Sequence, residues 1–230
     1  GRVMDDSKPK YLNSPESPIF NKRRLLFAIY QALPEIRKKR QAIMVEGYMD
    51  AISLHAHGVT NVVASLGTAF TVEQARLLKK YADEIVFSYD MDSAGQNATR
   101  RALEIAGAVG LKLRVALVGE GKDPDEFVNL HGGEAYLEAV AQAQPALDYL
   151  FGALQRQYDA STLDGQHHIL DEMFAVLLAQ QDTFQFNSFI RKMAMTLHMD
   201  EGMIRSEALS FAKKNHSTLY ISQKTPLEAP

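Results

Sequence analysis

Apolar residues between positions 41 and 118 alternate between short continuous runs and stretches with helical spacing. The runs at 42–45, 62–64, 85–89 and 113–118 predict four strands. Helical spacing separates them, and Thr71 with Gln74 three residues later has the pattern of a capping box. These connections are too long for hairpins, so they predict crossovers between parallel strands. We therefore predict an α/β fold whose largely parallel central sheet is flanked by helices.

The flanking regions have a different pattern. Three prolines in the first twenty residues predict an extended or turning segment, and an amphipathic helix follows from Asn21 to about Ile36, bent at Pro34. Beyond Pro124 the spacing predicts helices only, ending in a polar tail. We accordingly divide the chain into four units: residues 1–40, 41–130, an all-helical subdomain at 131–214, and a tail or linker at 215–230.

Composition narrows the class of protein. The chain has 230 residues, of which 46% are hydrophobic and 23% charged, and it has no apolar run of membrane-spanning length. A disordered polyelectrolyte, a coiled coil and a membrane span are excluded. The absence of Cys excludes disulfides, thiolate zinc sites and thiol nucleophiles, and the seven His residues lack metal-binding spacing. No signal segment is visible, which predicts an intracellular location. Because Gly1 is not an initiator Met, we expect a piece of a longer protein.

Charge is unevenly distributed along the chain. Residues 1–40 carry ten Lys or Arg against four acids, whereas the rest carries 15 against 24. A basic segment beside an acidic body favours a polyanion contact on one side and a cation site on the other. Two solvated surfaces would have the same composition, so charge alone does not decide between them.

Acidic residues follow three of the four predicted strands. Because parallel strands end at one edge of a sheet, we expect these side chains and one from the helix behind the first strand to converge there. The six acids are Glu46, Asp50, Asp90, Asp92, Asp123 and Asp125.

Clustered carboxylates repel one another unless a cation is bound. Oxygen ligands suit Mg²⁺ or Mn²⁺, whereas zinc would prefer His or Cys. Any one of these acids could merely cap a helix, as Asp92 could. Acids at the ends of several separate strands favour a magnesium site over chance capping. Gly47 would let the backbone turn sharply and admit a phosphate.

The acidic motifs resemble those of a known family. Glu46-Gly47 after one strand and Asp90-Met91-Asp92 after a later one resemble the Toprim signature of primases, topoisomerases and some nucleases. The wider series resembles bacterial DnaG-type primases over residues 1–130. It comprises the basic segment 1–16, Val45-Glu46-Gly47-Tyr48-Met49-Asp50, Ser65-Leu66-Gly67-Thr68-Ala69, Asp90-Met91-Asp92-Ser93-Ala94-Gly95 and Asp123-Pro124-Asp125.

The resemblance implies metal-dependent synthesis of short RNA primers on single-stranded DNA by nucleotidyl transfer. It implies that Glu46, Asp90 and Asp92 are catalytic metal ligands, with Glu46 as an alternative acid or base. Asp50, Asp123 and Asp125 would support them in holding Mg²⁺, for which Mn²⁺ could substitute, and no zinc site is expected here. Met91 departs from the glycine common in the family. Nucleotide or DNA contacts are implied for Arg2, Lys8, Lys10, Tyr11, Asn13, Ser14 and Lys22.

The same resemblance assigns the units. Residues 1–40 would be the C-terminal edge of a basic polymerase subdomain, 41–130 a Toprim domain and 131–214 the helical part of the core. The implied partners are single-stranded DNA, ribonucleoside triphosphates and the replicative helicase, the last through a domain absent from this sequence. The implied location is the bacterial cytoplasm, at the nucleoid and replisome, and no membrane is involved. We expect this piece alone to be inactive in priming.

The residues alone are also compatible with three other functions. A haloacid-dehalogenase-like phosphatase also places Asp-x-Asp after a strand, but on the first strand and with Thr or Val where Ala94 stands. A Toprim topoisomerase would need a transesterifying Tyr that we cannot identify. A nucleotide- or DNA-binding Toprim module without turnover is the non-enzymatic alternative.

Overall fold

A mostly parallel sheet of five strands forms the centre of the protein. The computed structural model describes residues 15–17, 20–66, 69–88, 93–119, 123–180 and 182–215. The strands lie in the order β2-β1-β3-β4-β5, and only the pairing of β4 with β5 is antiparallel. The predicted α/β fold is therefore confirmed. The strands are β1 (Gln41–Val45), β2 (Val62–Ala64), β3 (Glu84–Phe87), β4 (Lys112–Val115) and β5 (Gln144–Pro145).

Helices connect the parallel strands and make up most of the chain beyond residue 123. The capping box predicted for the third helix is present, because Thr71 and Gln74 exchange two hydrogen bonds of 3.1 Å. The helices are α1 (Ile29–Lys39), α2 (Tyr48–Ala56), α3 (Val72–Lys79), α4 (Ser93–Ala108), α5 (Pro124–Ala141), α6 (Ala146–Gln157), α7 (Leu163–Leu177), α8 (Thr183–Leu197) and α9 (Glu201–Lys214). None of the described helices is long and apolar enough to cross a membrane.

The sheet separates two hydrophobic cores. Along β1, Ala42 and Met44 face a core shared with α1, α3, α4 and the later helices. Ile43 and Val45 face the opposite core, which α2 and α5 cover. Because both faces are buried, the strands appear in the sequence as continuous apolar runs rather than as alternating ones.

The fifth strand was not predicted, and the expectation of helices alone beyond Pro124 is wrong at this point. β5 has only two residues, too few for any alternation to show in the sequence. Pro145 has no N–H to donate, and β5 accordingly lies at the end of the strand order, where only β4 pairs with it.

The first helix starts later than predicted, at Ile29 rather than Asn21. Phe27 instead forms a bridge with Ala64 at the end of β2. The Gln74 amide donates hydrogen bonds to the carbonyls of Lys22 (3.1 Å) and Leu25 (2.9 Å). These contacts hold residues 21–27 as a turn against α3, although their apolar spacing suits a helix.

A kink in α5 brings this helix close to α2. Gly132 has φ 82° and ψ 170°, a conformation that favours glycine and divides α5 into two segments. The next residue, Gly133, packs closely on the end of α2, because a Cβ there would collide with the carbonyl oxygen of His57. The close approach of α2 and α5 positions the acids described next.

Candidate active site

The carboxyl ends of β1 and β4 form the acidic side of the sheet. Glu46 directly follows β1 and is exposed. Its carbonyl oxygen accepts a hydrogen bond of 3.3 Å from the Ser65 hydroxyl, which ties this loop to the end of β2. We call the described acids at this side the carboxyl-edge acids: Glu46, Asp50, Asp123 and Asp125.

Asp50 turns back toward the end of β1 from the first turn of α2. Its Oδ2 accepts a hydrogen bond of 3.0 Å from the Gly47 N–H. A Cβ at position 47 would lie 2.8 Å from that oxygen, although Gly47 has ordinary extended dihedrals of φ −98° and ψ 146°. Glycine is therefore needed here for the close approach of the Asp50 carboxylate rather than for a sharp turn.

The start of α5 positions the other two acids. Asp123 caps the helix, because its Oδ1 accepts a hydrogen bond of 2.8 Å from the Glu126 N–H. Asp125 Oδ1 accepts a 2.8 Å hydrogen bond from the Asn129 side-chain amide, which also reaches the Ser53 hydroxyl of α2 at 3.2 Å. Asn129 thus holds Asp125 and ties α5 to α2.

Asp50 interacts electrostatically with two of the other carboxyl-edge acids. Burial raises the pKa of its half-buried carboxyl to about 6, and the charges of Asp123 and Asp125 add to the rise. Hydrogen bonds from the backbone N–H groups of Gly47 and Asp125 oppose it. A bound cation would relieve this repulsion, and the all-oxygen donor set fits Mg²⁺ or Mn²⁺.

The structure brings only part of the predicted cluster together. Asp50, Asp123 and Asp125 interact, and Glu46 lies at the same edge. Asp90 and Asp92 lie outside the described residues, as do Arg2, Lys8, Lys10, Tyr11, Asn13 and Ser14. Within the described residues, no group of three or more acids, His or Cys is arranged to hold a metal ion.

Lys22 lies on a turn beside the carboxyl edge. The Thr71 hydroxyl donates a 2.6 Å hydrogen bond to the carbonyl of Arg23, which anchors the turn at the start of α3. Arg23 and Arg24 are exposed on the same turn, and we did not predict them as contacts. Their position next to Lys22 in the sequence was the available signal. The turn therefore presents three cations on the acidic side of the sheet.

Two buried hydroxyls beside the acids were also missed. Tyr136 of α5 is fully buried, and Ser88, just after β3, is 1% exposed. Neither hydroxyl has a partner within ordinary hydrogen-bond geometry in the described structure. Burial raises the pKa of Tyr136, a weak hydrogen-bonding interaction with the Ser88 hydroxyl opposes the rise, and the Asp50 charge adds to it. Tyr136 occupies an apolar helical position, so its sequence pattern indicated core packing only.

Comparisons with known proteins agree with this arrangement. The Toprim-like family model matches residues 43–128, and that of the DNA primase catalytic core, N-terminal domain, matches residues 1–33. The DNA primase of Clostridium acetobutylicum is 41% identical over 211 residues, which are 91% of this chain and 34% of that protein. A solved structure of the DnaG catalytic core is 34% identical with a TM-score of 0.76, over 89% of this chain and 67% of that one.

The chain belongs to the DnaG primase family. A structure of the DnaG primase catalytic domain bound to single-stranded DNA is similar as well, with a TM-score of 0.77 and 34% identity over 88% of this chain and 65% of that one. The chain spans about a third of the Clostridium acetobutylicum primase. Family membership favours a primase over a haloacid-dehalogenase-like phosphatase.

The acidic and the basic candidate residues lie in two different segments matched by the family models. The carboxyl-edge acids all lie within the Toprim-like match at residues 43–128. The basic residues predicted to contact nucleotide or DNA all lie within residues 1–33, the match to the N-terminal domain of the primase catalytic core. Acids and bases thus belong to two neighbouring parts of one primase core.

Proposed function

We propose that this chain is the Toprim and helical part of a primase core that synthesises short RNA primers on single-stranded DNA. The observation that carries the proposal is the interaction of Asp50 with Asp123 and Asp125 at the strand edge that also bears Glu46. Repelling carboxylates at the ligand-binding edge of a parallel sheet favour a divalent cation, and nucleotidyl transfer requires one.

Mg²⁺ would be held by Glu46, Asp90 and Asp92, with Asp50, Asp123 and Asp125 in support. The chemistry supplied by the bound ion would be a lower pKa for the attacking 3′-hydroxyl and neutralisation of charge on the transferred phosphate. Gly47 leaves space for the Asp50 carboxylate, and Asn129 orients Asp125 toward the same edge. Glu46 acts as a ligand or as the acid or base of the reaction.

Basic and polar residues would hold the nucleic acid and the triphosphates. The family relative bound to single-stranded DNA supports a template of this class. Lys22, on the turn at the start of α3, is one of these residues. The others precede the described residues: Arg2, Lys8, Lys10, Tyr11, Asn13 and Ser14.

The rest of a primase would supply what this chain lacks. About a third of the catalytic-core structure has no counterpart in this chain. Template and two nucleotides must be aligned within roughly 3–3.5 Å for attack, so we expect this chain alone to bind metal without priming. The replicative helicase would bind elsewhere in the complete protein, at the replisome in the cytoplasm.

Metal binding is the direct test. Electron paramagnetic resonance of Mn²⁺ with this chain should show binding that Asp90→Ala and Asp92→Ala weaken by at least tenfold. Asp164→Ala, at an exposed acid in α7, is the control and should leave it unchanged. Equal Mn²⁺ affinity in all four proteins would refute the metal site.

Activity is tested in the complete catalytic core. Glu46→Gln should lower primer synthesis by a hundredfold or more, on the order of the loss expected for a catalytic acid or base, while circular dichroism stays unchanged. Robust synthesis by that variant would exclude a catalytic Glu46. Synthesis by residues 1–230 unaided would refute the expected inactivity, and metal-dependent NTP binding without synthesis by the complete core would favour a binding module.

A further inference from the structure

The opposite edge of the sheet is basic. Three neighbouring parallel strands begin there in register, with Gln41 beside Glu84 and Glu84 beside Lys112. Helices α1 and α3 end at the same edge, since each leads into one of these strands. We call the exposed cations at this edge the amino-edge cations: Arg37, Lys38, Lys39, Arg40, Lys79, Lys80 and Lys112.

Part of this group forms a fixed framework. Arg40 donates hydrogen bonds of 3.0 and 2.8 Å to the two Asp83 carboxylate oxygens and one of 2.9 Å to the Tyr81 carbonyl. The Arg37 guanidinium lies 4.8 Å from the centre of the Tyr81 ring. Lys79 Nζ donates a 2.6 Å hydrogen bond to the Gly110 carbonyl. These contacts hold the loops between helices and strands in place. Of the other lysines, Lys38 and Lys39 both pair with Glu35, at 3.6 and 3.5 Å, and Lys80 and Lys112 are exposed.

The cations outnumber the acids at this edge. Seven cations face three acids, Glu35, Asp83 and Glu84, even when Glu84, which pairs with Arg114 at 3.7 Å, is included. The C-termini of α1, α3 and α4 also lie here, and each contributes about half a negative charge. A surplus of about 2.5 positive charges remains after this correction.

We propose that the amino-edge cations bind the phosphate backbone of single-stranded nucleic acid, at a surface separate from the carboxyl edge. Strands of four or five residues place the two edges about 15 Å apart. The proposal rests on the proposed function only for the choice of single-stranded DNA as ligand. Binding here requires neither metal nor nucleotide.

The composition of this surface favours nucleic acid over a protein partner. Protein interfaces centre on buried aromatic or aliphatic side chains and are depleted in Lys. The exposed Phe184 lines a groove with Gly110 and Lys112, at the β4 end of this edge. Among the cations at the ends of α1 and α3, no large hydrophobic side chain is exposed in the described structure. Four of the seven cations are exposed lysines, and clustered cations of this kind are typical of contact with phosphates.

The test neutralises four lysines and leaves the framework intact. Lys38, Lys39, Lys80 and Lys112 are changed together to Gln. The control changes four exposed cations of α4, α6 and α9 to Gln, which alters the net charge equally: Arg101, Arg156, Lys213 and Lys214. Binding of fluorescein-labelled dT20 is measured by fluorescence anisotropy in EDTA, from 50 to 300 mM salt.

We expect the amino-edge variant to bind dT20 about tenfold more weakly at 50 mM salt, and its salt dependence to fall by about two in the log–log slope. The control should change by less than about twofold, because its cations are divided among three helices and do not form one surface. A double variant, Lys80→Gln with Lys112→Gln, should show about a threefold loss and serves if the quadruple variant does not fold.

Equal losses in the amino-edge variant and the control would reduce the effect to net charge and overturn the proposal, as would no loss in either. Displacement of dT20 by poly-glutamate at equal charge concentration would assign the surface to acidic proteins instead. Mn²⁺ binding should be the same in both variants and the parent. Failure of the proposed function would therefore appear in Mn²⁺ binding or priming, and failure of this inference only in DNA binding.

Discussion

Asp50 at the carboxyl edge and Asp83 at the amino edge are the same residue type with opposite pKa shifts. Burial raises the pKa of Asp50, and the neighbouring acids raise it further. A hydrogen bond from Arg40 lowers the pKa of the exposed Asp83, and the positive charge of Arg40 adds to that effect. Asp83 is thus paired with a cation of the protein itself, whereas Asp50 lies among acids whose repulsion a bound cation would relieve.

The direction of the crossover helices contributes to this difference. Each helix between parallel strands starts at the carboxyl edge and ends at the amino edge, so helix N-termini face the acids and C-termini face the cations. Asp50 in the first turn of α2 and Asp123 capping α5 suit the positive end of a helix. Lys39 and Lys79 suit the negative end. The helix dipoles therefore favour acids at the carboxyl edge of the sheet and cations at its amino edge.

Substitution of Gly133 should have the greatest effect on stability, because it disrupts the packing of α5 on α2 that brings the carboxyl-edge acids together. Gly133→Ala should destabilise the protein by about 3 kcal/mol or more, because its Cβ would collide with the His57 carbonyl and separate α5 from α2. Urea unfolding measures this. Gly152→Ala in α6 meets only ordinary contacts and should stabilise by about 0.5–1 kcal/mol, and equal effects would contradict the packing argument.

A second prediction concerns the Asp50 proton. Its native pKa of about 6 lies above the ordinary value, so its contribution to stability is present at low pH and lost as pH rises through 6. Mn²⁺ competes with that proton, and affinity should rise about tenfold from pH 5 to pH 7.

Asp50→Asn should flatten the rise in Mn²⁺ affinity with pH, as measured by titration calorimetry. Asp83→Asn is the matched control at the other edge and should keep the rise. An unchanged pH profile in Asp50→Asn would assign the titration to another group.

Removal of the buried phenol hydroxyl tests the region beneath the acids. Tyr136→Phe should stabilise the protein by about 1 kcal/mol, because the hydroxyl is buried without a partner. Ser88→Ala removes the neighbouring hydroxyl and should be neutral or stabilising for the same reason. A lower urea midpoint for Tyr136→Phe would instead indicate that the Ser88 hydroxyl or a buried water satisfies the phenol hydroxyl.

The smallest change in affinity is expected when one negative charge is removed from the amino edge. Asp83→Asn removes a negative charge from among Arg40, Lys79 and Lys112 and should raise affinity for dT20 by about twofold at 50 mM salt. The gain should disappear at 300 mM salt, and urea stability should change little because the ion pair is exposed. Weaker DNA binding by this variant would contradict a role for surplus positive charge.

Much of the fold was predictable because its signals are local. The apolar runs of β1 to β4 and the capping box at Thr71 depend on neighbouring residues, and the structure has both. β5 and the late start of α1 depend on pairing with β4 and with Ala64, so no local pattern could reveal them. The shared edge for Glu46, Asp50, Asp123 and Asp125 was predictable because parallel strands end together.

The order of strands and helices and the acidic residues at the strand ends follow from local patterns, because spacing and chain direction control both. Tertiary structure alone decided which groups meet. Tyr136 lies beside Asp50 because the kink at Gly132 turns α5 onto α2. The amino edge combines α1, α3 and β4, which are distant in sequence and adjacent only because their strands pair in register.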